Sequence, residues 1–309
     1  MVLSLIFMIP LIAIYVIGIP CAIVVATLLP FWLPDRKTIN AEELSVRMMF
    51  GAALGCALAY MAGHWGQGSF PKLPQVPPTD AADWLFFIAP FCAFVAFVEG
   101  GLARIPKQAS TFHFSLLVLR AIVVGGSVWL VLTPERRNHP DNVWKWVPAL
   151  SVLLLLQWES WAALARRNKS FDISASLYAV IGGSCAVLAL SGGARYGLLC
   201  GTLAAISGAI FFGSLIFSNF PLARGLANVA APLGFLLVVL GYFLADVPLK
   251  SGVLLAAAPF AAWIAELPPV KRLKPWQIAM LRVTCVAVMV GIAVAIAAAN
   301  QPTDDGYGG

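Results

Sequence analysis

Four ionisable side chains of this sequence stand inside long apolar runs, where a charge is costly unless it is paired or put to use: Glu99, Arg120, Glu159 and Arg282. A carboxylate and a guanidinium at similar depth in such a setting can neutralise each other, bind a charged solute or carry a proton. Glu99 closes the run "FCAFVAFVEGG", and Arg120 opens the run "LRAIVVGGSVWLVL" beyond a short basic loop, so antiparallel helices would set the two side by side. Glu159 lies in "LLLLQWESWAALARR" among Gln157, Trp158, Ser160 and Trp161. No basic residue stands in the four positions before it, so its partner must come from another helix, or the group carries a proton. Arg282, followed by Thr284 and Cys285, is expected to snorkel toward water, with Glu266 the nearest acid in its hairpin. These four form the candidate site, and Glu159 is the first choice for a solute or coupling-ion position.

A second acidic feature is "AEELSVRMMFGAALG", where Glu42 and Glu43 precede Arg47. This spacing resembles EExxxR, the first motif of the CPBP (Abi/Rce1-like) intramembrane proteases, and "YMAGH", Tyr60 to His64, is similar to a loose form of that family's FxxxH. The resemblance implies a glutamate that activates water and histidines that stabilise an oxyanion. The third motif, a histidine followed four residues later by Asn or Asp, has no counterpart: His113 is followed at that distance by Leu117 and His139 by Val143. On one helix Glu43 and His64 would lie about 31 Å apart at 1.5 Å per residue, at opposite ends, whereas catalytic groups must converge. Acidic residues on a first helical turn with a snorkelling arginine account for the same letters.

What must position these residues is a set of helices in lipid. Hydrophobic residues make up 61% of the 309 and charged ones only 11%, at a mean hydropathy of +0.88, which excludes an ordinary soluble domain. Apolar runs of about 20 residues, the length that crosses a hydrocarbon core of about 30 Å, recur along the chain. Runs such as "LSVLLLLQ" do not alternate in polarity, which excludes a β-barrel. The expected architecture is an all-α polytopic integral membrane protein, one bundle of about ten helices over residues 1–300 with a short disordered tail at 301–309. The spans are expected near 3–31, 44–63, 83–103, 112–132, 146–165, 173–191, 196–217, 222–245, 250–267 and 275–298. The segment "GHWGQGSFPKLPQVPPTDAADW" reads as an extended outer connector. The first span has no Lys or Arg before Arg36 and is too long for a cleaved signal, so it is expected to remain.

Fourteen of the twenty Lys and Arg residues fall in connections after odd-numbered spans and the helix starts that adjoin them. By the positive-inside rule both termini are then non-cytoplasmic, in a membrane expected to be a bacterial-type inner (plasma) membrane. Trp32, Trp65, Trp84, Trp144, Trp146 and Trp276 fall at span ends as an aromatic belt. "LSVRMMFG", "LVLRAIVVGG" and "AMLRVTCVA" each place one arginine at the entry of an apolar helix, and "PLARGLANVAAPLG" repeats the theme, a pattern suggesting helical-hairpin repeats. The six cysteines have no CxxC spacing and read as small hydrophobes. The three histidines cannot meet as a metal or haem site, so no cofactor is expected. Basic residues scattered over loops argue against nucleic acid as a partner.

Prolines inside apolar runs, Pro10, Pro20, Pro90, Pro232 and Pro259, free backbone carbonyls of the kind from which transporters build mid-membrane sites. The expected function is a secondary transporter or permease for a small solute, and the expected partners are the lipid bilayer with a small solute or a coupling ion. A non-catalytic structural or accessory subunit of a larger membrane complex is the alternative, and a CPBP-like protease a remote one. In size the chain resembles ten-helix carriers such as the drug/metabolite transporters, but it carries no motif of theirs and its expected orientation differs.

Overall fold

The computed structural model describes residues 20–21, 23–24, 41–68, 75–78, 80–102, 109–133, 140–217 and 220–301. The expected span 3–31, apart from four of its residues, and the tail from 302 lie outside the described residues. Among those described, every regular element is helical: α1 (Ala41–Gly68), α2 (Asp83–Leu102), α3 (Ala109–Val131), α4 (Pro140–Arg167), α5 (Ser170–Leu190), α6 (Ala194–Ile216), α7 (Leu222–Leu244), α8 (Leu249–Ala262) and α9 (Pro275–Ala299). Short 3-10 turns at Trp263–Glu266 and Val270–Arg272 join the last two. Nine described helices, with α8 carried on to Glu266, are long and apolar enough to cross a membrane. The chain is therefore a multi-pass membrane protein.

Consecutive helices run antiparallel, as their end contacts show. His64 at the end of α1 meets Ala82 before α2, Glu99 meets Arg120 across the α2–α3 hairpin, and Trp129 packs on Trp144 across the α3–α4 connection. The separation of α5 from α6 rests on "SGGAR", where Gly192 takes a φ of 81° that only glycine adopts without strain. Between α7 and α8, Asp246 adopts a φ of 50° ahead of Pro248.

The centre of the bundle is α7. Of its span 89% is buried, against 22% for α9, and it touches α1, α2, α4, α5 and α6 as well as α3 and α8. "GLANVAAPLGFLLVVLG" is apolar all round apart from Asn228, as suits a helix enclosed by protein. Its small residues admit close neighbours: a Cβ on Gly225 would collide with the Met49 carbonyl of α1.

Several boundaries differ from expectation by a few residues, and two of them have a clear cause. The helix α1 continues to Gly68, so "GHWGQG" is helix and not connector. It continues because its polar residues find partners there: His64 Nε2 lies 3.1 Å from the Ala82 carbonyl, and Gln67 Nε2 donates to Thr202 Oγ1 at 2.7 Å. Helix α4 begins at Pro140, a proline at a helix start having no N–H to leave unpaired.

Candidate functional site

The antiparallel order brings the ends of α2, α4, α6 and α8 together with the starts of α1, α3, α5, α7 and α9, and most of the charge sits at that end. Arg120, fully buried on α3, donates to Glu99 Oε2 at 2.7 Å, to Glu159 Oε1 at 2.6 Å and to Asn228 Oδ1 of α7 at 3.0 Å. Its guanidinium also lies 5.4 Å from the centre of the Trp158 ring, whose Nε1 donates to Asn228 at 2.9 Å. Arg166 closes the group by donating to Glu99 Oε1 at 3.1 Å and standing 3.9 Å from Glu159. Asn228 in turn donates to Glu99 Oε2 at 2.9 Å. Two carboxylates, two guanidiniums and one amide from α2, α3, α4 and α7 thus form a network of zero net charge.

Arg282 lies elsewhere, in a second group of similar make-up. It is fully buried and donates to Glu266 at 2.8 Å, to Asp172 of α5 at 3.2 Å and to Asn168 at 2.9 Å. Lys271 stands 3.5 Å from Glu266, again balancing the charge. The expected snorkelling of Arg282 does not occur, because acids from α5 and from the end of α8 reach it at its own depth and remove the need to reach water. The two groups meet at the end of α4, where Arg166 serves the first and Asn168 the second. Arg224 adds a further tie there, donating from α7 to the carbonyls of Ala165 and Arg166.

Of the four candidate residues, the structure joins Glu99, Arg120 and Glu159 and leaves Arg282 with the second group. Sequence reasoning did not find Asn228, Arg166, Asp172 or Asn168 as members. Asn228 alone gave a signal, as a lone amide in the apolar stretch that follows Arg224.

Behind the first network, between α4, α5, α7 and α8, opens a cavity with ≈ 20 Å³ of room for the centre of a water molecule. Gln157, Trp161, Ser184, Ala231, Gly234 and Leu255 line it, and among the described residues no charged side chain does. The charged residues and the cavity therefore do not coincide: Glu159 points into the network while Gln157, two residues earlier on α4, borders the cavity.

At the opposite end Arg195 bridges Asp80 and Asp83, with His64 3.7 Å from Asp83. The protease-like letters do not converge either. Glu43 pairs with Arg47 at 2.8 Å, both partly exposed at the start of α1, while His64 lies at the other end of that helix; the side chain of Glu42 lies outside the described residues. Among the described residues no group of three or more His, Cys, Asp or Glu side chains could hold a metal ion. Fold and site define a multi-pass helical bundle with a buried, charge-balanced network at one end. Compared with protein-family models, curated proteins and solved structures, the chain matches none.

Proposed function

We propose that the chain is a secondary transporter or permease for a small solute, with the network of Glu99, Arg120, Glu159 and Arg166 as the closed gate at one end of its path. The observation that supports this reading is the course of α4, which joins that network through Glu159 and Arg166 and borders the mid-bundle cavity through Gln157 and Trp161. Ion pairs that tie three helices, joined to a fourth through Asn228, are suited to a gate, because they hold one arrangement firmly and leave discrete charges to be exchanged in another. In this reading the charged end faces the cytoplasm of a bacterial-type inner membrane and both termini lie outside it. The likeness of the Arg120 and Arg282 groups, each one arginine with two carboxylates and one asparagine, favours an origin in repeated helical hairpins.

The test is solvent access to the cavity. A cysteine at Ala231, in a version whose six native cysteines are replaced, is exposed to a membrane-impermeant thiol reagent in oriented vesicles. Labelling from one or both faces is expected; absence of labelling from either face, with the protein folded, would refute a solute path. The second reading, a structural subunit of a membrane complex, draws on the charge balance of both groups and the small cavity. It predicts no labelling and a stable complex on purification from native membranes.

A further inference from the structure

Gln157 is a buried polar group that the network does not use. It is 3% exposed, its Oε1 has no hydrogen-bond partner among the described residues, and it borders the cavity. A buried amide oxygen without a partner is rare in folded proteins and is ordinarily satisfied by a water or a ligand. Two more lining residues, on other helices, carry oxygens able to accept. Ser184 of α5 donates its hydroxyl to the Val180 carbonyl at 2.9 Å, leaving its oxygen free to accept. On α8, Pro259 has no N–H to give the carbonyl of Leu255, a lining residue. Helix α7 keeps the space open by presenting Ala231 and Gly234. The room is ≈ 20 Å³, against the roughly 10–15 Å³ that one water requires.

We infer that this cavity is a binding site for a small uncharged hydrogen-bond donor, held by Gln157 Oε1 with Ser184 and the Leu255 carbonyl as further acceptors. The donor is uncharged because the lining offers no counter-charge, and an ion would exchange its hydration for three neutral oxygens among apolar walls. It is water-sized in the conformer described. The site stands on its own geometry; only its identification with the solute path rests on the permease reading.

The experiment is a structure of the purified full chain in lipid nanodiscs, at a resolution that shows ordered water, for wild type and for Gln157→Leu, with the melting temperature of each. Expected is density within hydrogen-bond reach of Gln157 Oε1 in wild type, its loss in Gln157→Leu, and a melting temperature for the variant at or below that of wild type. A wild-type site without density overturns the inference, as does a Gln157→Leu variant that melts several degrees higher because a dry orphan amide has been removed. Should the variant fail to fold, the wild-type density alone decides. Osmotic swelling and shrinkage of proteoliposomes, with water, urea and glycerol as probes, separates the two sources of the guest. Density together with a probe flux that Gln157→Leu reduces at least tenfold supports the site as part of the solute path. Density with no protein-dependent flux of these probes supports it as a hydration site and overturns its place on a path for small uncharged solutes, and density with a flux indifferent to Gln157→Leu supports it as a hydration site beside a path that runs elsewhere.

Discussion

Replacing Arg120 with methionine should be among the most damaging changes at the charged end, and the structure says by how much more than its neighbours. Arg120 is fully buried and supplies hydrogen bonds of 2.6–3.0 Å to two carboxylates and an amide. Without it, Glu99, whose side chain is 9% exposed, keeps Arg166 at 3.1 Å and Asn228 at 2.9 Å but loses its one fully buried cation. Removing one partner of a buried pair costs about 3–5 kcal/mol, most of it the penalty of the charge left behind. Glu99→Gln keeps the shape and the Asn228 contact, so about 1–3 kcal/mol is expected. The Glu159 side chain is 32% exposed, so water screens what remains, and Glu159→Gln should cost no more than about 1 kcal/mol. The combination Glu99→Gln, Arg120→Met, Glu159→Gln removes the buried charges together and should recover much of the Arg120→Met loss. Equilibrium unfolding of the purified protein in mixed micelles, titrated with denaturing detergent, gives these differences. Arg120→Met within 1 kcal/mol of wild type, or Glu159→Gln as costly as Arg120→Met, would refute the argument that burial sets the ranking.

The same titration separates two glycines: a Cβ at Gly225 meets the Met49 carbonyl and lies 2.8 Å from Ala52 Cβ and Ala53 N, so Gly225→Ala should cost about 1–3 kcal/mol. At Gly182 nothing lies within 4 Å, so Gly182→Ala should gain about 0.5–1 kcal/mol from helix propensity; equal effects would disprove the close crossing of α1 and α7. Arg282→Met should cost about 3–5 kcal/mol like Arg120→Met, whereas Arg195→Ala, its side chain 42% exposed, should stay below about 1 kcal/mol. For orientation, single cysteines at Lys271 and Lys250 should be labelled from opposite faces of intact cells, the first only from the cytoplasm; labelling of both from one face would overturn the topology.

Most of the bundle was legible because lipid leaves the chain few options: an apolar run of about 20 residues becomes a helix. The weak separators "SGGAR" and "DVPLK" held because glycine and proline chemistry acts locally. The end of α1 was not legible, since "GHWGQG" stays helical only through partners on the segment before α2 and on α6, which local composition cannot show. The pairing of Glu99 with Arg120 could be read from equal depth on neighbouring helices. The link from Arg120 to Glu159 could be read only as the need for a partner. Arg282 misled because sequence gives depth along a helix and not which acids from other helices arrive at that depth; Asp172 is 110 residues away.

The arrangement of the first network also says which helix can leave it at least electrostatic cost. Glu99, Arg120 and Asn228 come from α2, α3 and α7, while Glu159 and Arg166 both come from α4. If α4 withdraws, the bonds Arg120–Glu159 and Arg166–Glu99 break, yet each side remains neutral: Glu99 keeps Arg120 and Asn228 at 2.7 Å and 2.9 Å, and Glu159 keeps Arg166, already 3.9 Å away. Withdrawing α2 or α3 instead strands a single charge on each side, a penalty of several kcal/mol in a low-dielectric setting. Of the three helices that bring charge to the network, the one that can move is therefore also the one that borders the cavity through Gln157, and on the permease reading α4 is the moving element. Spin labels at Gly101, beyond the α2 network position, and Lys169, after α4, both exposed at the charged end, should then report two distance populations in nanodiscs. Their ratio should shift toward the longer distance in Arg166→Ala, which removes one of the two ion pairs that tie α4 to α2 and α3. One narrow distance unchanged by Arg166→Ala would refute the motion and leave the network as a fixed fastening of four helices.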